Sequence, residues 1–294
     1  MRILFIGCVK SSEIFLKKLI EIHADIVGVI TKSESKFNAD FADLGEACRQ
    51  NGIDYLYVNN ANDAISKEYM RSKDSDLILC LGWSQLLDEE VLNIPRRGCI
   101  GFHPAALPQN KGRHPLIWAL ALGLEKTAST LFLMDTGADT GKVVSQKTVE
   151  ITYEDDAGSL YDKVMKTAVV QLEEVIQDFK NGKINLINHL PDEGNSWRKR
   201  GKEDGRIDWR MSSRNIYNLV RALSRPYVGA HFIHNNDEYK VWKVKEVFED
   251  GYENIEPGKI IRVISNNTFV VKAGENLIEV LECDTVEIKE GEYL

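Results

Sequence analysis

Long hydrophobic runs are missing from this chain of 294 residues. Nothing in it approaches the ~20 apolar residues of a membrane-spanning helix, so no membrane span is expected. The opening stretch Met1-Arg2-Ile3-Leu4-Phe5-Ile6-Gly7 is too short for a secretory signal and reads as a buried strand. Cysteine is scarce and unpaired in pattern: Cys8, Cys48, Cys80, Cys99 and Cys283 are odd in number and show no C-x-x-C spacing. They read as buried free thiols of a reducing, cytoplasmic setting, not as disulfides or zinc ligands. Positive charge is short as well, with 37 Lys and Arg against 45 Asp and Glu and a formal net charge of −8. Phosphate contacts need clustered cations, so a nucleic-acid partner is disfavoured. The one basic run, Arg198-Lys199-Arg200 with Lys202 and Arg206, reads as a solvated loop. There is no G-x-G-x-x-G phosphate loop, no internal repeat, no low-complexity tract and no cluster spaced like metal ligands.

What is present is an ordinary globular composition, 43% hydrophobic and 28% charged, on a chain long enough for one large domain or two. The first half alternates strand and helix. Strands are expected at Ile3–Ile6, Ile26–Ile30, Tyr55–Val58 and Leu77–Leu81, and helices at Ser12–Ile22, Ala39–Gln50 and Ala64–Arg71. Gly52 is placed to end the second helix. Continuous apolar strands between amphipathic helices predict an α/β fold, with a mostly parallel, Rossmann-like sheet covered on both faces. Pro115–Leu122 reads as a short helix with proline in its first turn. Gly158–Phe179 reads as a long one with Leu160, Val164, Ala168, Leu172 and Ile176 on one stripe. After Gly182 the character changes. Ile184–His189 has the look of an edge strand, Pro191 to Trp209 of a crossing loop, and Ser213 to Leu223 of a serine-capped helix. From Ala230 onward strands separated by Asn-Asn and Gly turns predict a small open barrel or sandwich. The expected layout is a catalytic domain over 1–182, a linker and helix over 183–229, and a smaller β-rich domain over 230–294.

Two loops carry the chemistry. Cys99 to Phe102 delivers His103 into Pro104-Ala105-Ala106-Leu107-Pro108, and Ser129 to Met134 delivers Asp139 into a Gly-flanked turn. Two strand ends of one sheet can set an imidazole beside a carboxylate, a pair able to move a proton near neutral pH. Near the amino terminus Lys10-Ser11-Ser12 opens a helix. Ser11 or Ser12 either caps that helix or meets an anion there.

The segment Gly82 to Gly141 resembles the 10-formyltetrahydrofolate-dependent formyltransferases, whose pattern is Asn-x-His-Pro-Ser-Leu-Leu-Pro, a basic residue with glycine, and an Asp-x-Gly turn. Arg198 to Trp209 and Arg221 to Ala230 resemble that family's linker, in its methionyl-tRNA and sugar-nucleotide branches. The resemblance implies catalytic roles for His103 and Asp139. It implies a folate site lined by Trp83, Gln85, Leu86 and Leu87 and by Met134, Asp135, Thr136, Gly137 and Ala138. It implies 10-formyltetrahydrofolate as co-substrate and no metal. One departure stands out: where the family has a catalytic asparagine, this chain has Gly101. Asn110 is a candidate substitute donor, and a water held by the Gly101 backbone is another.

The acidic charge and the short carboxy-terminal part point away from methionyl-tRNA and toward a nucleotide-linked amino sugar. In that branch the local pattern resembles enzymes of pseudaminic-acid-type sugars, which implies a UDP-linked 4-amino-4,6-dideoxy-N-acetyl hexose. Its pyrophosphate is expected at Lys10, Ser11 and Ser12, and its sugar near Arg113, His114 and Trp118. The alternatives are a methionyl-tRNA formyltransferase, a hydrolase of formyl-folate, and a homologue disabled by Gly101 that binds folate or sugar nucleotide. A homodimer is a further expectation.

Overall fold

A computed structural model describes residues 1–35, 40–190 and 192–294. In chain order its elements begin with β1 (Arg2–Ile6), α1 (Lys10–Glu21), β2 (Asp25–Thr31), α2 (Gly45–Gln50), β3 (Tyr55–Tyr57), α3 (Ala64–Ser72) and β4 (Leu77–Cys80). There follow α4 (Glu89–Leu92), β5 (Cys99–His103), β6 (Lys111–Gly112), α5 (Pro115–Ala121), β7 (Lys126–Leu133), β8 (Val143–Glu150) and α6 (Ala157–Asn181). The last part holds β9 (Ser196–Trp197), a 3-10 turn (Lys202–Gly205), α7 (Ser213–Leu223), and β10 (Ala230–His234), β11 (Asp237–Val247), β12 (Ile260–Ser265), β13 (Thr268–Lys272) and β14 (Leu277–Cys283). Contacts divide the chain into two compact units. The first is Met1–Gly112, Ala128–Val149 and Val164–Ser196; the second is Arg113–Thr127, Glu150–Lys163 and Trp197–Leu294.

The first unit is built on a seven-stranded sheet in the order β3-β2-β1-β4-β5-β7-β8. Strands β1 to β5 run parallel, as expected, and β7 runs antiparallel to β5. β1 and β4 lie centrally and are apolar over nearly every residue because both faces are covered. Phe15, Leu16 and Leu19 of α1 are fully buried, and the Phe15 ring meets Phe102 of β5 edge-on at 5.1 Å. Burying such a side chain contributes about 1.5–3 kcal/mol. The stripe Leu160, Val164, Ala168, Leu172 and Ile176 along α6 is buried throughout.

Some local expectations change. The second helix starts at Gly45, not Ala39, and Ala39 lies outside the described residues, as does Pro191. Gly52 follows α2 with φ +64, as a helix-ending glycine does. Ile184–His189 forms no strand; Ile187 alone bridges to Val143. Neither Ser11 nor Ser12 caps α1. The cap is Val9, and Ser12 sits at the third helical position, its oxygen accepting from the Val9 amide at 3.2 Å.

In the second unit α7 is capped by Ser212, whose hydroxyl accepts from the Asn215 amide. The carboxy-terminal strands form one antiparallel sheet, β10-β11-β14-β13-β12, with β10 and β12 at its edges. Asn235 and Asn236 turn β10 into β11 with φ of 50° and 68°, the left-handed pair that a two-residue hairpin needs.

Candidate active site

His103 is the last residue of β5 and is 5% exposed. Its backbone pairs with Thr130 of β7. The loop that follows is pinned by side chains of neighbouring strands. Thr130 Oγ1 donates to the Ala105 carbonyl at 2.6 Å, and Gln146 Nε2 donates to the Leu107 carbonyl at 2.8 Å. Ring position is set by a hydrogen bond at 2.8 Å between His103 Nε2 and the Asn110 carbonyl. A carbonyl only accepts, so Nε2 carries a hydrogen and Nδ1 is left as the atom that gains and loses a proton.

Nδ1 stands 3.6 Å from Oδ2 of Asp139. The route by which Asp139 arrives differs from the expected meeting of two strand ends. β5 and β7 are antiparallel, so the end of β7 lies at the start of β5, where the Met134 amide donates to the Cys99 carbonyl. The chain after Met134 doubles back along β5 to reach His103. Two features allow this. Gly141 packs so closely on β7 that a β-carbon there would lie 1.6 Å from the Leu133 carbonyl oxygen. Asp139 itself adopts the left-handed conformation, φ +58. Oδ2 of Asp139 also accepts from the Gly112 amide at 2.9 Å, which aims the carboxylate. Asn110 is left-handed too, with φ of 63°, and Gly112 has φ of 99°, which glycine adopts without cost.

The position of the missing asparagine is filled. Gly101 faces Phe132 across the β5–β7 ladder, and the Phe132 ring and Met134 Cγ lie within 3.1 Å of where its β-carbon would be. Sequence reading missed Phe132, because the contact depends on strand register. Asn110 contributes its carbonyl to His103, a role that its side chain does not explain. The five thiols offer no nucleophile: all are free and buried, and burial pushes Cys8 and Cys48 up to about 11.

The residues expected around a folate divide into two sets. Leu87 is buried in the core, with Trp83 and Met134 packed against the same cluster. Trp83 Nε1 donates to Gln85 Oε1 at 3.2 Å, and the same oxygen accepts from the Ala61 amide, so this loop braces itself. Leu86 at its tip is 53% exposed, an apolar side chain in water on a held loop. Asp135 accepts from the Gly137 amide and from Thr140 Oγ1 and so shapes the turn, while Thr136 and Ala138 are exposed. At the amino-terminal helix Lys10 is exposed and Ser11 is buried. Ser12 is fully buried and donates to the Leu81 carbonyl at 2.6 Å, so its hydroxyl is committed to the protein.

Arg113, His114 and Trp118 belong to the second unit. There the basic run is more than a solvated loop. Trp118 Nε1 donates to the Arg198 carbonyl at 3.0 Å, and the guanidinium groups of Arg198 and Arg200 lie 5.4 and 4.6 Å from its ring centre. Arg198 forks onto Asp204. His114 Nδ1 accepts from the Arg200 amide at 3.4 Å. Burial, then Arg113, Arg200 and Lys199, lower the pKa of His114.

The family description "Formyl transferase" matches residues 1–176, and "Formyl transferase, C-terminal domain" matches residues 199–290. The methionyl-tRNA formyltransferase of Caldanaerobacter subterraneus subsp. tengcongensis is 30% identical over 287 residues, 96% of this chain and 91% of that protein. The bifunctional polymyxin resistance protein ArnA of Wigglesworthia glossinidia brevipalpis is 30% identical over 274 residues, 92% of this chain and 41% of that protein. Among solved structures, the sugar 3N-formyl transferase WlaRD, crystallised in the presence of dTDP and 5-N-formyl-THF, superposes with a TM-score of 0.73. The match covers 96% of this chain and 97% of that one, at 18% identity, a likeness of fold. Matched by both descriptions and 30% identical to a relative along nearly its whole length, this chain belongs to the formyl transferase family.

Proposed function

We propose that the chain moves a formyl group from 10-formyltetrahydrofolate to the primary amine of a nucleotide-linked amino sugar. The carrying observation is the His103–Asp139 pair, an imidazole whose exchangeable Nδ1 faces a carboxylate at 3.6 Å. In formyl transfer a new bond forms between the attacking nitrogen and the formyl carbon, and the bond to the donor nitrogen breaks. One nitrogen loses a proton and the other gains one. His103 Nδ1 takes the first proton and returns it to the leaving nitrogen, while Asp139 stabilises the imidazolium in between. Bound formyl-folate supplies the activated acyl group. The exposed Leu86, the Trp83 face and the exposed Thr136 and Ala138 fit the flat, partly apolar body of such a donor. Gly101 brings no side-chain donor to the oxyanion, so the protonated imidazole and backbone amides carry that charge.

The amino-sugar acceptor is supported by the net charge of −8 and by the likeness of fold to a sugar 3N-formyl transferase. Exposed Lys10 offers a cation to the pyrophosphate of such a ligand. A second reading, formylation of methionyl-tRNA, is favoured by the names of several relatives near 30% identity. The test incubates purified protein with 10-formyltetrahydrofolate and, separately, UDP- and dTDP-linked amino sugars and methionyl-tRNA, and reads the gain of one formyl group by mass spectrometry. Product with the tRNA and none with any sugar moves the assignment to the second reading. No product with any amine sinks both.

A further inference from the structure

One tripeptide holds both members of the pair. The Asn110 carbonyl fixes His103 Nε2, and the Gly112 amide fixes Asp139 Oδ2. Between them Lys111 is 6% exposed. Any shift of this tripeptide therefore moves the imidazole and the carboxylate together.

The tripeptide is itself held by a segment far along the chain. The Asn110 amide donates to Asn195 Oδ1 at 2.9 Å, and the Lys111 amide donates to the Asn195 carbonyl at 3.0 Å. Lys111 Nζ donates to the Glu193 carbonyl at 2.9 Å. Between these two, Gly194 lies against Pro108, and a β-carbon on it would stand 2.1 Å from the Pro108 carbonyl oxygen. The same stretch touches the Asp139 loop at its other end, where His189 Nε2 donates to the Gly141 carbonyl at 2.8 Å. Two of these four bonds use the backbone of the segment and two its side chains. Asn195 contributes a side-chain oxygen and a main-chain oxygen to two successive residues of the tripeptide.

We propose that Asn195 is a positioning residue for the His103–Asp139 pair: by accepting from the Asn110 and Lys111 amides it sets where the Asn110 carbonyl and the Gly112 amide stand. This rests on the reading of that pair as the catalytic one. A donor misplaced by a fraction of an ångström loses much of its effect, and a displacement of about 1 Å costs on the order of 10²-fold.

The test compares Asn195→Ala with Asn195→Asp, which keeps the accepting oxygen. Asn195 is exposed, so both variants are expected to fold, checked by thermal melts. In formyl transfer from 10-formyltetrahydrofolate to the amine that the wild type accepts, Asn195→Ala is expected to lose about 10–100-fold in kcat with KM little changed, and Asn195→Asp to recover most of it. Independently of any acceptor, nitrogen NMR of the His103 imidazole, assigned by its loss in His103→Gln, should show one Nε2–H form in the wild type. It should show mixed forms in Asn195→Ala and the single form again in Asn195→Asp. Unchanged kcat, or unchanged His103 signals in Asn195→Ala, overturns the proposal. Absence of transfer by the wild type overturns the functional reading instead, and the imidazole signals then decide the positioning role alone.

Discussion

Phe132 stands where a side chain on residue 101 would have to go: its ring atoms lie 2.8 and 2.9 Å from the position of a β-carbon on Gly101. The two residues are cross-strand partners, so their substitutions are expected to be coupled. Gly101→Asn alone is expected to be overpacked and to cost about 1–3 kcal/mol. Phe132→Ala alone opens a cavity and costs about 3–5 kcal/mol. The double variant is expected to be more stable than the sum of the two losses by about 1 kcal/mol or more, read by urea unfolding. Additive losses would mean that the ring yields freely. Transfer by the double variant then reports whether an asparagine at 101 can act once it has room.

Asp139→Asn should leave the fold intact, since asparagine tolerates the left-handed backbone at this position and keeps an oxygen for the Gly112 amide. It removes the charge that faces Nδ1. The expected loss in kcat is on the order of 10²–10⁴, as for removal of a proton-transfer partner, and His103→Gln should match it. Near-normal turnover in either variant would remove that residue from the mechanism.

His114 gives a pH signature. Burial and the neighbouring Arg113, Arg200 and Lys199 lower its pKa in the folded state below the ordinary 6.5. The folded protein therefore binds this proton less readily than the unfolded chain. Stability is fully present above pH 6.5 and falls as pH drops from there toward the folded pKa. His114→Gln, which cannot be charged, should lose less stability over that window. Thermal melts between neutral pH and pH 5 measure it. Parallel curves for the two proteins would contradict the cause assigned here. His231 is lowered by burial in the same direction and is present in both proteins.

Arg221 is a stability prediction. It is 8% exposed; its Nε donates to Asn218 Oδ1, and its Nη1 to the carbonyls of Thr152, Tyr153 and Asp155. Arg221→Met strips all four acceptors of a donor, at an expected cost of about 3 kcal/mol or more. Arg221→Lys should recover only part, because an ammonium cannot span the same fork. A shift of the urea midpoint with an unchanged slope is the expected readout.

Much of the fold was legible because its signals are local. The apolar runs of β1 and β4, the α6 stripe and the Asn235-Asn236 hairpin each declare themselves within a few residues. β8 escaped notice, since it lies at an edge and carries Ser145, Gln146 and Lys147 in a half-polar pattern. Helix α4 was too short to show a period. In the site, His103 and Asp139 were readable from their loops, but the backbone hydrogen bonds that aim them are not written in side-chain identity. Phe132 needed the β5–β7 register, and Asn195 reaches Asn110 across 85 residues of chain.

The second compact unit begins inside the stretch matched by the amino-terminal family description and takes in Arg113–Thr127 and Glu150–Lys163 before it reaches Trp197. An engineer wishing to exchange the second unit for another could not do so by a single cut near residue 182. The graft would have to carry two inner segments with it, because Arg221 closes on Thr152 and Asp155 of the second of them. The second unit is thus one compact piece, although along the sequence it is three separate segments.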